Sequence, residues 1–298
     1  MKANSDSSQA FSRQAGLASG LRLRAMRRPN AQTLLTGVYL PTLWEPSTRT
    51  LASAALIAAP TGLICGPTCL ALHGVALPRR WRDDRQHVWV PVDGNRPKRP
   101  QIRVHRTALQ LPGVTINDIP CVSPIDAWLQ LGADGTVDDL VMVGDGLIRR
   151  QHPITTLAAI TQAVESSPRR PGIRLLRAAI PLLRARTDSI QETRVRLRVV
   201  RAGLPCPTVN IPVLDQYGEV LFLVDMGYED ILLGIEYDGA DHVADSPKMQ
   251  RDAARRRRLE DMGWRIVTVT AADLADPQSG FVASIRQAVQ RSVADLER

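Results

Sequence analysis

The sequence predicts an α+β protein whose C-terminal part is a mixed sheet with helices on both faces. From Ser189 onward the apolar pattern changes in the order helix, three strands, helix, strand, helix, and Gly203 and Gly263 end two of these helices. The segment 231–235 is nearly all apolar, which is typical of a strand in the centre of a sheet. A short buried strand between two helices implies that helices cover both faces.

Each element of this core follows from its local pattern. Ser189 is a suitable cap for a helix that ends at Ala202, and Gly227–Asp230 is a short turn between two strands. The predicted strands are Thr208–Val213, Val220–Met226, Ile231–Tyr237 and Trp264–Thr270, and the later helices are Lys248–Met262 and Gln278–Leu296.

The front of the chain is strongly basic. Residues 1–60 contain seven Lys or Arg against two acids. The pattern predicts two short helices in Gln9–Met26 and a strand pair centred on Gly37 in Thr33–Leu40. This is the element order of a winged-helix DNA-binding domain. The segment resembles the start of type IV (abortive-infection) antitoxin-like proteins, with Thr36 where their wing has arginine. We therefore expect residues 1–47 to bind DNA through the arginines Arg22, Arg24, Arg27 and Arg28.

Residues 48–150 predict a mixed α/β region that resembles the linker domain of the same antitoxin-like proteins. Ser123 caps a helix with Pro124 in its first turn. Residues 151–186 predict a helical linker with a hinge at 166–172, and residues 187–298 form the C-terminal domain. The other predicted elements are the helices Arg49–Ala59, Pro67–Gly74 and Val137–Arg149 and the strands His87–Val92 and Gln101–Arg106.

Composition narrows the class of protein. The chain has 298 residues, 44% of them apolar, a net charge of +8 and a pI near 9.9. This basic balance makes DNA the expected partner. No apolar run reaches the roughly 20 residues of a membrane helix, and the start has no secretory pattern. Four irregularly spaced cysteines favour the reducing cytoplasm, and no glycine-rich loop indicates a small-molecule cofactor.

Acidic residues follow two neighbouring strands of the predicted core. Asp225 closes one strand and Glu236 lies near the end of the next, so a tight turn brings the two acids close together across the sheet. Glu236 and Asp238 face one side if the strand persists, and Tyr237 faces the other. Carboxylates at the end of a buried strand are costly without a cation. Two carboxylates, a backbone carbonyl and waters suit Mg²⁺ or Mn²⁺.

These motifs resemble the very-short-patch-repair-like branch of the PD-(D/E)xK nucleases, specifically the family called domain of unknown function 559. The resemblance covers about 90 residues from Ser189 and implies a restriction-endonuclease-like αβββαβ core. The wider superfamily has a lysine at the position of Asp238. The matching residues are Ser189, Glu192, Asp225, Glu236, Asp238, Gly239, His242, Arg251, Asp252, Arg255, Leu259, Gly263 and Trp264.

The resemblance implies roles for these residues in metal-assisted phosphodiester hydrolysis. Asp225, Glu236 and the Tyr237 carbonyl would hold the metal, and Asp238 stands at the lysine position of the catalytic motif. His242 is either a general acid or base or a structural histidine of the turn. Glu192 either joins the metal shell through water or forms a capping box with Ser189.

A basic helix face follows the acids. Arg251, Arg255 and Arg258 share one face of the predicted helix, which either contacts phosphate or pairs with nearby acids in solvent. Two functions therefore remain open. One is a metal-dependent DNA endonuclease, and the other is a non-catalytic, antitoxin-like DNA-binding regulator with a degenerate nuclease fold.

Two other patterns predict no site. Cys65, Cys69 and His73 have a helical spacing, but structural zinc requires four ligands, so we expect buried thiols. Asp145 lies between two glycines in an apolar helical pattern, where we expect a helix break or cap.

Overall fold

The computed structural model describes residues 10–19, 31–41, 45–94, 96–107, 111–239 and 246–296. The chain is an α+β protein that divides into two compact units. Unit 1 comprises residues 1–136 and 158–178, and unit 2 comprises residues 137–157 and 179–298. Among the described residues, no helix has the length and apolar character that crossing a membrane requires.

Unit 1 contains two sheets. The strands of the first are β1 (Phe11–Ser12), β2 (Ala31–Leu35) and β3 (Val38–Pro41), in the order β1-β3-β2. The strands of the second are β4 (Leu63–Ile64), β5 (Gln86–Val90), β6 (Ile102–Arg106), β7 (Gly113–Ile116) and β8 (Ile119–Val122), in the order β6-β5-β4-β8-β7. The helices are α1 (Arg13–Ala18), α2 (Thr48–Ala58), α3 (Gly66–Leu72), α4 (Pro124–Leu131) and, apart from one terminal residue each, α6 (Leu157–Glu165) and α7 (Ile173–Ala179).

Several sequence predictions for unit 1 are confirmed. Ser123 caps α4 by accepting a hydrogen bond from the Asp126 N–H at 3.0 Å, with Pro124 in the first turn. The strand pair around Gly37 is present, and Gly37 has the positive φ of 81° that its turn requires. The second predicted helix of the winged-helix region lies largely outside the described residues, so that assignment stays a prediction.

Unit 2 contains one four-stranded sheet between helices. Its strands are β9 (Thr208–Leu214), β10 (Val220–Tyr228), β11 (Leu233–Asp238) and β12 (Arg265–Thr270), in the order β12-β11-β10-β9. The β11–β12 pair is parallel and the other two pairs are antiparallel. The helices are α5 (Val137–Leu147), α8 (Ile190–Arg201), α9 (Ser246–Asp261), α10 (Ala271–Ala275) and α11 (Phe281–Leu296).

Helices cover both faces of this sheet, as the sequence predicts. One core layer joins Val195 of α8 and Ile285 of α11 to Ile235 of the central strand β11. The other layer joins Leu259 of α9 to Val224 and Ile211. Because the sheet is mixed and buried on both sides, the ends of its inner strands lie close to helices of both layers.

One predicted feature of unit 2 is wrong. Asp145 neither breaks nor caps a helix, because α5 continues through it from Val137 to Leu147. Its carboxylate is buried and ion-paired with Arg196 of α8 at 2.6 Å, and it accepts a further hydrogen bond from Thr193 at 2.9 Å. These contacts satisfy a buried acid inside the helix.

Candidate functional site

The two strand-end acids lie opposite one another in the sheet of unit 2. Met226 of β10 pairs with Ile235 of β11, so the next position places Asp225 opposite Glu236. Asp225 Oδ2 also accepts a hydrogen bond of 2.8 Å from the backbone N–H of Tyr237. The expectation that the acids approach each other across adjacent strands is therefore confirmed.

A third acid comes from helix α8. The Ser189 hydroxyl caps this helix by accepting a hydrogen bond from the Glu192 N–H at 3.1 Å. Glu192 is only 7% exposed. Its Oε2 accepts from the Asp188 N–H at 3.1 Å and not from that of Ser189, so the predicted reciprocal capping box is replaced by a bond one residue earlier. This bond holds the Glu192 carboxylate at the start of α8.

Burial and neighbouring charges raise the pKa of two of these acids. Burial raises the pKa of Glu192 to about 7, and the negative charge of Asp225 adds to the effect. Burial likewise raises the pKa of Asp225 to about 6, with Glu236 acting in the same direction. The Tyr237 N–H and Arg255 oppose this shift by stabilising the Asp225 carboxylate. Three carboxylates thus share one partly desolvated region, where a positive charge is stabilising.

Arg255 of α9 supplies such a charge to Glu236. Its Nη2 lies 2.6 Å from Glu236 Oε1 and its Nη1 lies 3.0 Å from Oε2, which makes a two-point ion pair. Nη2 also donates to the Leu223 carbonyl at 2.8 Å. Both Glu236 side-chain oxygens therefore accept hydrogen bonds from the protein itself.

Two arginines of the predicted basic face of α9 lie on the same side of the helix, and one of them pairs with an acid. Arg255 and Arg258 both lie over the ring of Phe222, at 5.7 and 5.5 Å from its centroid. Arg255 forms an ion pair with Glu236, whereas Arg251 and Arg258 are exposed. The sequence spacing identified the shared face, but it gave no indication that one arginine pairs with a predicted metal ligand.

The remaining predicted residues are less closely associated with the acids. Asp238 is exposed at the end of β11, where it pairs in register with Thr270. The Tyr237 side chain packs against the core layer of α8 and α11. Several predicted site residues lie outside the described residues, namely His242, Arg22, Arg24, Arg27 and Arg28.

The oxygen donors of this region have the chemistry that Mg²⁺ and Mn²⁺ prefer. Within the described part of the chain, one carboxylate oxygen of Asp225 accepts no hydrogen bond from protein. No three His, Cys, Asp or Glu side chains among the described residues lie close enough to hold a metal as they stand.

Comparisons with known proteins assign no activity. No protein-family model matches the sequence. Over 156 residues the chain is 29% identical to "Uncharacterized protein MT2308" of Mycobacterium tuberculosis CDC 1551 / Oshkosh and to "Uncharacterized protein Rv2248" of strain H37Rv. The match covers 49% of this chain and 57% of each relative. The chain therefore spans little more than half the length of these curated relatives.

A solved structure shows a weaker likeness. The crystal structure of RV2827C protein from Mycobacterium tuberculosis has a TM-score of 0.40 and 14% identity. The likeness covers 70% of this chain and 85% of that chain.

Two cysteines with helical spacing lie in the interior of unit 1. Cys65 and Cys69 are fully buried, and the Cys69 thiol lies 3.4 Å from the Val122 carbonyl. Burial raises the pKa of the Cys65 thiol, which keeps it protonated. The prediction of buried thiols at these two positions is confirmed.

Proposed function

We propose that unit 2 is a metal-dependent nuclease of the PD-(D/E)xK type that hydrolyses phosphodiester bonds in DNA. One observation carries the proposal: Asp225 and Glu236 adjoin the same register pair of two adjacent inner strands, and Asp225 accepts a hydrogen bond from the Tyr237 N–H directly after Glu236. A purely structural core has no need for like-charged acids at neighbouring, partly buried strand positions. The resemblance to the very-short-patch-repair-like nucleases rests on the same residues.

Asp225, Glu236 and the Tyr237 carbonyl would hold Mg²⁺ or Mn²⁺, with Glu192 joining them directly or through water. When bound, the metal lowers the pKa of a water molecule and neutralises charge on the phosphate that is attacked. The chain itself orients the acids, because the Tyr237 N–H fixes Asp225 and the Asp188 N–H fixes Glu192.

Arg255 and its neighbours would prepare the site for a polyanion. The Arg255 side chain balances the charge of Glu236 before substrate binds. Arg251 and Arg258 are exposed on the same helix, where they would contact phosphates. Residues 1–47, with four clustered arginines, would add affinity for duplex DNA without reading its sequence.

A non-catalytic DNA-binding regulator is the second candidate. It is favoured by the two-point ion pair that occupies both oxygens of Glu236. Asp238 favours it too, because it stands where the wider superfamily has a lysine. In this case Arg255 is a permanent internal cation, and the acids have kept a structural role only.

Cleavage of supercoiled plasmid by the purified protein, in Mg²⁺, Mn²⁺ or EDTA, tests the proposal. Glu236→Gln keeps the size of the side chain but removes the charge that holds the metal, so we expect cleavage to fall by about 100-fold or more. Glu229→Gln, an exposed acid in the turn between the same strands, is the matched control and should cut like the wild type.

Binding measurements separate the two candidates. DNA affinity in EDTA should be unchanged in Glu236→Gln if phosphate contacts come from arginines elsewhere. Wild-type protein that binds DNA but never cuts duplex, nicked, mismatched or single-stranded DNA, or RNA, would refute the nuclease and favour the regulator. Undiminished metal-dependent cutting by Glu236→Gln would place the activity elsewhere.

A further inference from the structure

Unit 1 contains an open cleft of about 780 Å³. Trp89 of β5 and His105 of β6 are register neighbours in a parallel pair, so both side chains line it from the sheet. Leu129 and Gln130 line it from α4. Its volume falls in the range of roughly 300–1,000 Å³ that is usual for small-molecule sites.

The rim of the cleft is positively charged. Three arginines line it, at positions 106, 169 and 170, and no Asp or Glu is among the described residues that do so. Arg170 pairs with Asp126 at 3.2 Å. Arg106 and Arg169 are exposed, and neither forms an ion pair with a described residue. The cleft therefore favours an anionic ligand.

A constrained loop presents two of these arginines. The Ile173 N–H donates to the Arg170 carbonyl at 3.1 Å, and the Arg170 N–H donates to Ser167 at 3.1 Å. Gly172 has a φ of 74°, and a Cβ atom there would overlap the carbonyl of Gly132. The loop thus lies directly against the end of α4, so the backbone that carries the arginines needs little ordering when a ligand binds.

The interior of the cleft combines flat apolar surface with hydrogen-bond donors. Trp89 is 8% exposed, and its indole N–H is buried without a hydrogen-bond partner within the described part of the chain. Gln130 Oε1 accepts from the Gly66 N–H at 2.8 Å, which leaves its amide hydrogens for another acceptor. Pro168 and Pro171 add apolar surface beside the arginines. A ligand that suits this lining has a planar ring with acceptor atoms and an attached anion.

We propose that this cleft binds a nucleotide unit, with its base beside Trp89 and its phosphate at Arg106 and Arg169. A heteroaromatic base offers an apolar face and acceptor atoms together, and a phosphate accepts two-point hydrogen bonds from guanidinium groups. A free nucleotide and an unpaired nucleotide of a nucleic-acid strand share this chemistry. The site lies in unit 1, so it stands whether or not unit 2 cuts DNA.

Isothermal titration calorimetry on the full-length protein in EDTA tests the proposal. The probes are the four ribonucleoside monophosphates, adenosine, ribose 5-phosphate and a single-stranded octanucleotide. We expect at least one monophosphate or the octanucleotide to bind, and adenosine and ribose 5-phosphate to bind about tenfold more weakly or not at all. Tighter binding of the octanucleotide identifies a strand as the source, and tighter binding of a monophosphate identifies a free nucleotide.

Exposed arginine variants locate the site without disturbing the fold. The double variant Arg106→Gln/Arg169→Gln should weaken binding by about tenfold or more, because it removes the charged hydrogen bonds to the phosphate. Arg174→Gln, an exposed arginine of α7 that does not line the cleft, should bind like the wild type. The proposal is overturned if no probe binds at millimolar concentration, if adenosine binds as tightly as its monophosphate, or if the double variant retains wild-type affinity.

Discussion

Replacing Asp145 by alanine should weaken unit 2 more than any surface substitution. Asp145 is 1% exposed, and its carboxylate accepts hydrogen bonds from Arg196 at 2.6 Å, Thr193 at 2.9 Å and the Arg184 N–H at 2.8 Å. Alanine removes all three bonds and leaves the fully buried Arg196 guanidinium with the Leu182 carbonyl and a distant sulfur as its acceptors among the described residues. The bridge between α5 and α8 is then lost.

The size of the effect follows from the burial of the pair. Removing one partner of a buried ion pair costs about 3–5 kcal/mol, because the remaining charge is desolvated and unpaired. Burial raises the pKa of Asp145 even though Arg196 opposes the shift, so the pair itself is costly to keep in the core. The double variant Asp145→Leu/Arg196→Met should therefore recover much of the loss.

Asp138 provides a matched control, because it joins the same two helices at the surface. It pairs with Arg201 at 2.7 Å, and the side chains are 43% and 53% exposed. Exposed pairs contribute about 0–1 kcal/mol, so Asp138→Ala should change the free energy of unfolding by no more than that. Urea unfolding followed by circular dichroism, with hydrogen exchange of α5 and α8 peptides, measures both variants. Equal losses for Asp145→Ala and Asp138→Ala would refute the reasoning.

Three further predictions concern the metal, the histidines and DNA. Mg²⁺ or Mn²⁺ should raise the melting temperature of the wild type but not of Asp225→Ala, since a ligand of the native state stabilises it; equal shifts would contradict the metal site. Burial, reinforced by His105, lowers the pKa of His87 from 6.5 to about 4, so only the unfolded chain gains a proton between these values. The free energy of unfolding should fall as the pH falls through this window. In His87→Gln, the free energy of unfolding measured with urea should depend less on pH. Deleting residues 1–45 should reduce the salt dependence of DNA binding, and an unchanged slope would locate the contacts in α9.

Helix and strand boundaries in unit 2 could be predicted because their signals are local. Ser189 and Gly203 bound α8, and both act as expected, the serine as a cap and the glycine with a positive φ of 80°. The short helix α10 was missed, although Thr270 and Asp273 form a capping box that the sequence contains. Its apolar run is too short to show helical periodicity.

For the candidate site, the sequence could predict which strand residues are neighbours, but not which helix residues contact them. The turn length fixed the pairing of Asp225 with Glu236, because a short connection makes neighbouring strands antiparallel. The ion pair of Glu236 with Arg255 depends on how α9 is rotated and placed over the sheet, and spacing along one helix carries no information about that. The Asp145–Arg196 pair was missed for the same reason, since its partners are 51 residues apart.

The close contact of Gly172 with Gly132 indicates which related sequences keep the cleft of unit 1. Any side chain at Gly172 would meet the backbone of Gly132, so that change pushes the loop away from α4. A side chain at Gly132 would meet that of Leu176 in α7, which directly follows the loop. The arginine rim depends on that loop, yet neither glycine lines the cleft. We expect chains that keep both glycines to share the cleft, and chains with larger residues there to have lost it even where the arginines remain. Two small residues thus identify, by inspection alone, which relatives are worth screening for ligands.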